Sequence, residues 1–172
     1  LENLAGACAL LDHIGLHDVR ARADLSGFAQ LRHRLEEFTS ADGRICVNDS
    51  ISTVPEATLV ALRAYADRKV TLFLGGADRG QDHTQLLDYL GAANIAGVIL
   101  LPDTGARIAQ EMTAHQWPFA IMPVTNLAEG VAVAQKQTPA DSVFLLSPAA
   151  PSFGQFRDFE ERGDRFIALC KI

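Results

Sequence analysis

Positive charge is in short supply. Fifteen Lys and Arg face 21 Asp and Glu among 172 residues, a formal net charge of −6 with histidine neutral, and no basic tract interrupts that balance. Nucleic-acid affinity rests on clustered Lys and Arg, so DNA and RNA fall away as partners. Cysteine is scarce: Cys8, Cys46 and Cys170 are odd in number, far apart and never paired as C-x-x-C, which argues against a disulfide framework or a zinc site. Their places on apolar faces read as buried structural thiols. No apolar run nears the ~20 residues of a membrane-spanning helix, and the N-terminus lacks the basic, apolar, small-residue order of a signal peptide. A soluble, cytoplasmic protein with no membrane partner is expected. Internal repeats and low-complexity tracts are missing too. What is present is apolar material: 48% hydrophobic against 21% charged residues, enough for a core and too little charge for disorder.

The pattern of that material is helical at first. Leu1, Leu4, Ala5, Cys8 and Leu11 repeat at helical spacing until Gly15, a residue suited to a helix C-cap. A second helix is expected from about Ala21 to Leu31. A sequence that begins inside a helix reads as cut from a longer chain, and residues 1–31 are assigned to an absent neighbour. From Leu35 the texture changes. Leu35 to Thr39 and Arg44 to Asn48 flank the turn signal Ala41-Asp42-Gly43, which predicts a β-hairpin. Strands at 70–74, 98–101, 119–124 and 142–146 then alternate with helices opening near Thr53, Thr84, Thr104, Asn126 and Phe156. Asn126 and Glu129 suggest a capping box. Continuous apolar strands alternating with helices imply an α/β domain: a Rossmann-like, mostly parallel sheet with helices on both faces and an N-terminal β-hairpin. Ligands in such sheets bind beyond the carboxyl ends of the strands.

Three features at that edge invite chemistry. Gly75-Gly76-Ala77-Asp78-Arg79-Gly80 follows a strand, but Ala77 breaks a dinucleotide fingerprint and Gln81-Asp82 replaces the Lys-Ser/Thr of a phosphate-binding Walker A loop. Glycines for a tight turn, with Asp82 capping the next helix, explain the segment equally well. They leave unexplained Arg79, a planar cation suited to gripping a carboxylate. Ala150-Pro151-Ser152-Phe153-Gly154 nearly matches a nucleophile elbow. In that fold the histidine follows the serine, whereas every histidine here precedes Ser152. His13 and His17 have metal-pair spacing, but Gly15 lies between them, so solvated histidines are the better reading. Thr53, at the start of Thr53-x-x-Glu56, reads first as an N-cap and second as a hydroxyl presented to an anion.

Together these stretches resemble the C-terminal domain of a Mur ligase of the MurD type. The resemblance is carried by His33-Arg34-Leu35-Glu36, Asn48-Asp49-Ser50, Gly75-Gly76-x-Asp78-Arg79-Gly80, and Leu146-Ser147-Pro148-Ala149 through Phe159-Glu160-x-Arg162-Gly163, in family order across nearly the whole chain. It implies an ATP-dependent amide ligase that adds glutamate to UDP-N-acetylmuramoyl-L-alanine through an acyl phosphate in peptidoglycan synthesis. By position, Arg34 and Asp49 resemble the family's ATP contacts, to phosphate and ribose respectively. Thr53, Arg79, Ser152, Phe153 and Phe159 resemble its glutamate-binding set. Ile51 and Arg79, where many relatives have lysine, look more like the branch that adds L-glutamate than the one that adds D-glutamate.

The resemblance also implies a division of labour. Residues 1–31 resemble the tail of the family's central ATPase domain, and residues 32–172 its glutamate-binding domain. ATP and Mg²⁺ are cofactors of the full-length enzyme, and neither is held tightly by this part. No catalytic residue and no metal ligand falls within the chain, and the absent N-terminal and central domains are its partners. The isolated chain is expected to be inactive. The competing expectation is a stand-alone Rossmann-like nucleotide-binding or regulatory module without catalysis.

Overall fold

A computed structural model describes residues 2–18, 27, 30–114 and 116–172. The chain divides into two compact units, Leu1–Gln30 and Leu31–Ile172. In the first, helix α1 (Glu2–His13) ends as the sequence predicts. Gly15 turns left-handed with φ 81°, and the Leu16 N–H returns to the Leu11 carbonyl at 2.9 Å, the six-to-one bond of a glycine-terminated helix. His13 and His17 are exposed, as expected, and Cys8 is half-buried rather than buried. The helix anticipated over Ala21 to Leu31 falls largely outside the described residues.

The second unit is built on one six-stranded sheet. Its strands are β1 (Glu36–Thr39), β2 (Ile45–Asn48), β3 (Val70–Gly76), β4 (Ile95–Asp103), β5 (Ala120–Pro123) and β6 (Val143–Leu146). Their spatial order is β1-β2-β6-β3-β4-β5. Only β1 runs antiparallel, paired to β2 across the predicted hairpin, and the other pairings are parallel. Among the described residues the helices of this unit are α2 (Pro55–Ala64), α3 (Thr84–Ala92), α4 (Thr104–Met112), α5 (Leu127–Gln137) and α6 (Phe159–Cys170).

Strand side chains alternate between faces, so each strand feeds two cores. Leu72, Leu74, Val98, Leu100, Val143 and Leu145 pack with Leu62 of α2, Leu90 of α3 and Ile108 of α4. Phe73, Ile99, Leu101, Phe144 and Leu146 pack on the other face with Val131 of α5 and Phe166 of α6. Each such side chain contributes about 1.5–3 kcal/mol when fully buried. Both faces are therefore covered, which is why the strands read as apolar runs.

Local caps set the boundaries. Pro55 at the first turn fixes the start of α2, and its N-cap is Val54 with no side-chain bond. Thr53 is therefore not the cap that its spacing suggested. Asp82 lies one residue outside its expected place: His83 is the N-cap of α3, while Asp82 Oδ1 accepts from the Thr84 N–H at 2.9 Å. Asn126 caps α5 as predicted, accepting from the Glu129 N–H at 2.9 Å. The Glu129 carboxylate closes the reciprocal bond one residue further out, on the Thr125 N–H at 2.7 Å. Helix α6 begins at Phe159 rather than near Phe156, because Asp158 accepts from the Glu161 N–H at 2.8 Å.

Candidate functional site

Strand β6 lies between β2 and β3, so the loops leaving β2, β6 and β3 emerge side by side at the carboxyl edge. Parallel sheets place ligands at such an edge, where the strand order breaks. These three loops carry most of the expected site residues.

The loop after β3 is shaped by its neighbours. Gly75 has φ 114° and Gly76 φ 150°, and a Cβ at Gly75 would collide with the Leu101 carbonyl oxygen and one at Gly76 with that of Pro151. The Gly75 N–H donates to the Pro148 carbonyl at 2.8 Å and the Ala77 N–H to the Pro151 carbonyl at 2.8 Å. Those amides serve the β6 loop and cannot cradle a phosphate, so close approach of backbones explains the glycines. Beyond them, Asp78 receives two bonds from Arg107 of α4, from Nε at 2.9 Å and Nη2 at 3.0 Å. The guanidinium pulls the Asp78 pKa down to about 2. Anchored in this way, the loop exposes Arg79, whose guanidinium carbon stands 5.6 Å from the centroid of the Phe153 ring.

That pairing joins the β3 loop to the β6 loop. Ser152 is buried beside it at 4% exposure, while Phe153 is 51% exposed. Thr53 is drawn in through Gln81, whose Nε2 donates to the Thr53 carbonyl at 2.9 Å. Phe159 belongs to a neighbouring cluster: its ring meets His33 edge to face at 6.0 Å, and its carbonyl accepts from Ser50 Oγ at 2.8 Å.

The same cluster gathers the scattered motifs into one body. Asn48 Nδ2 lies 2.9 Å from His33 Nδ1 and donates to Glu36 Oε2 at 3.0 Å. A Cβ at Gly163 would strike the His33 ring, so that position has room only for glycine. His33 (φ 61°) and Leu35 (φ 46°) both adopt left-handed backbone, a strained pair that brackets the exposed Arg34. Asp49 is 2% exposed. It accepts from the Leu35 N–H at 3.1 Å, Ser52 Oγ at 2.6 Å and Ser147 Oγ at 2.7 Å. Burial raises its pKa above the ordinary carboxylate value despite these bonds. Its carboxylate is turned toward the protein.

Sequence reasoning gave no role to Arg162, which is 1% exposed and reaches from α6 to Ser50 and Ala150. The available signal was a cation on the apolar stripe Phe159-Arg162-Phe166-Cys170 of an amphipathic helix. Among the described residues, no group of three or more His, Cys, Asp or Glu side chains could hold a metal ion. No described helix is long and apolar enough to cross a membrane.

The fold has counterparts among solved enzyme structures. The chain superposes on the MurF ligase of Thermotoga maritima solved with ADP, at TM-score 0.60 and 15% identity, covering 97% of this chain and 36% of that one. It superposes similarly on a bifunctional folylpolyglutamate synthase/dihydrofolate synthase from Yersinia pestis, at TM-score 0.58 and 12% identity, covering 83% and 32%. At these identities the likeness is one of fold. No family model matches the chain. In sequence it is 45% identical over 175 residues to UDP-N-acetylmuramoyl-L-alanine--L-glutamate ligase of Salinispora tropica, covering 98% of this chain and 38% of that relative. It is 39% identical over 170 residues to UDP-N-acetylmuramoylalanine--D-glutamate ligase of Geobacillus kaustophilus, covering 97% and 36%. The chain spans little more than a third of the length of these curated relatives. Over nearly its whole length the chain is similar in sequence to glutamate ligases of the MurD type.

Proposed function

We propose that the chain is the C-terminal, amino-acid-binding domain of a cytoplasmic, ATP-dependent ligase that adds L-glutamate to UDP-N-acetylmuramoyl-L-alanine during peptidoglycan synthesis. What carries this reading is the Arg79–Phe153 junction at the carboxyl edge, in a chain 45% identical to an L-glutamate ligase.

In the reaction, the γ-phosphoryl group of ATP passes to the alanine carboxylate and ADP leaves. The glutamate amine then attacks the acyl carbon, loses a proton and expels phosphate, leaving the amide. This domain's part is to bind and orient. Arg79 meets a glutamate carboxylate with a planar fork, and Phe153 covers the guanidinium from one side. Ser152 and Thr53 offer hydroxyls on the flanking loops, and Phe159 walls the site. Arg34, held out between two left-handed residues, meets an ATP phosphate. Asp49 serves the nucleotide first through Leu35, whose backbone it fixes, and so sets where Arg34 points. In this reading the protein ligands of Mg²⁺ lie on the rest of the ligase. Residues 1–31 form the tail of the central ATPase domain in this reading.

The test is ligation by the full-length protein with ATP, UDP-N-acetylmuramoyl-L-alanine and each glutamate enantiomer. L-glutamate is expected to be favoured in kcat/KM by about tenfold or more, about 1.4 kcal/mol of transition-state binding. Preference for the D form overturns the L assignment, and ligation of neither enantiomer overturns the ligase.

A further inference from the structure

The inner stripe of α6, Phe159-Arg162-Phe166-Cys170, holds three residues that suit a core and one that does not. Arg162 is 1% exposed. Its Nε donates to Ser50 Oγ at 2.9 Å, Nη2 to the Ser50 carbonyl at 2.8 Å and Nη1 to the Ala150 carbonyl at 3.0 Å. All three acceptors are neutral, and among the described residues no carboxylate forms an ion pair with it. Desolvation pushes its pKa down to about 9, which leaves it charged at neutral pH. Neutral acceptors repay only part of the hydration a buried cation gives up. A neutral polar side chain could bridge the same loops at less cost.

Its surroundings show where such a charge would act. The guanidinium borders a small cleft at the carboxyl edge, together with Gly75, Gly76, Ser152, Phe153 and Phe156. The segments it bridges also carry the proposed amino-acid contacts. Thr53 follows Ser50, and Ser152 and Phe153 follow Ala150. Ser50 Oγ, which accepts from Arg162, donates in turn to the Phe159 carbonyl at 2.8 Å. A charge sheltered from water is weakly screened, so its field reaches the cleft.

We propose that Arg162 makes the amino-acid site selective for a dicarboxylate, its buried charge, without an ion-pair partner among the described residues, supplying positive potential to the cleft without touching the substrate. It is a positioning residue, and the proposal rests on the reading of this chain as a glutamate-adding domain.

The experiment uses the full-length ligase and its Arg162→Met, Arg162→Lys and Ser50→Ala variants. It reads the KM for glutamate, the KM for ATP, kcat and the thermal midpoint. Arg162→Met is expected to raise the glutamate KM about tenfold or more, with the ATP KM within about twofold. Arg162→Lys, which keeps the charge, should restore most of that loss. Ser50→Ala, which removes the Ser50 Oγ bond and keeps the charge and both carbonyl bonds, should stay within about threefold of wild type. An Arg162→Met glutamate KM near wild type overturns the proposal, as does an Arg162→Lys no better than Arg162→Met. If Arg162→Met does not fold, Arg162→Gln takes its place with the same expected rise of about tenfold, and a near-wild-type glutamate KM there overturns the proposal; a rise of about tenfold in Ser50→Ala assigns the effect to the Ser50 Oγ bond and overturns it as well. A wild-type ligase that uses no glutamate removes the underlying reading instead.

Discussion

Changing Asp49 to Ala separates an architectural carboxylate from one that serves only as a ligand. The substitution removes the acceptor for three donors, the Leu35 N–H, Ser52 Oγ and Ser147 Oγ. Hydrogen bonds to a charged group contribute about 1.5–3 kcal/mol each, but the three do not simply add. Burial raises the Asp49 pKa, so ionised Asp49 costs solvation that the substitution recovers. Ser147 Oγ has a second partner in Thr58 Oγ1 at 3.1 Å. The Leu35 N–H belongs to a backbone already held at φ 46°. A net loss of about 2–4 kcal/mol follows, on the order of 4–16 °C in thermal midpoint for a chain of this size. Asp49→Asn, which keeps one acceptor oxygen, should lose about half as much by the same bond energies. Thermal unfolding of the isolated chain, followed by far-ultraviolet circular dichroism, is the assay. An Asp49→Ala midpoint within about 2 °C of wild type, under 1 kcal/mol by that scale, would refute the architectural role.

Other expectations concern the same edge. Gly76→Ala should sharply destabilise the isolated chain, because its Cβ meets the Pro151 carbonyl. Gly6→Ala in α1 meets nothing and should be neutral or stabilise by up to about 1 kcal/mol, with denaturant midpoints comparing the two. His83 is 1% exposed, and burial lowers its pKa below 6.5. The fold favours its neutral form, so its contribution is complete above about pH 6.5 and is lost as pH falls below that value. His83→Phe should therefore lose less thermal stability than wild type between pH 7.5 and 5.5, and equal losses would count against the burial argument. The isolated chain should neither release phosphate from ATP nor ligate glutamate. Phosphate release above a buffer blank, abolished by Asp49→Ala, would contradict that expectation.

The sheet was legible because parallel strands buried on both faces leave apolar runs, as at Leu72–Leu74 and Val143–Leu146. The Gly15 helix stop and the Asn126 cap were legible because each depends on one local residue. Strand order was not, since nothing near Val143 in the chain signals that β6 inserts between β2 and β3. Thr53 was misread as a cap because Pro55 at the first helical turn leaves Val54 as the N-cap. The glycines of Gly75-Gly76 fit either a cradle or a close approach until the carbonyls of Leu101 and Pro151 were in place. The role of Arg162 stayed hidden for a different reason: helical periodicity marks a buried position but does not say what a buried cation holds.

The central claim is that the β3 and β6 loops form the glutamate site, with Arg79 as its grip. The most direct measurement is the glutamate KM of Arg79→Ala in the full-length ligase, beside its ATP KM. A bidentate charged contact contributes about 1.5–3 kcal/mol, which at about 1.4 kcal/mol per decade predicts a rise of about tenfold or more for glutamate. The ATP KM should stay near wild type, and an unchanged glutamate KM would contradict the account.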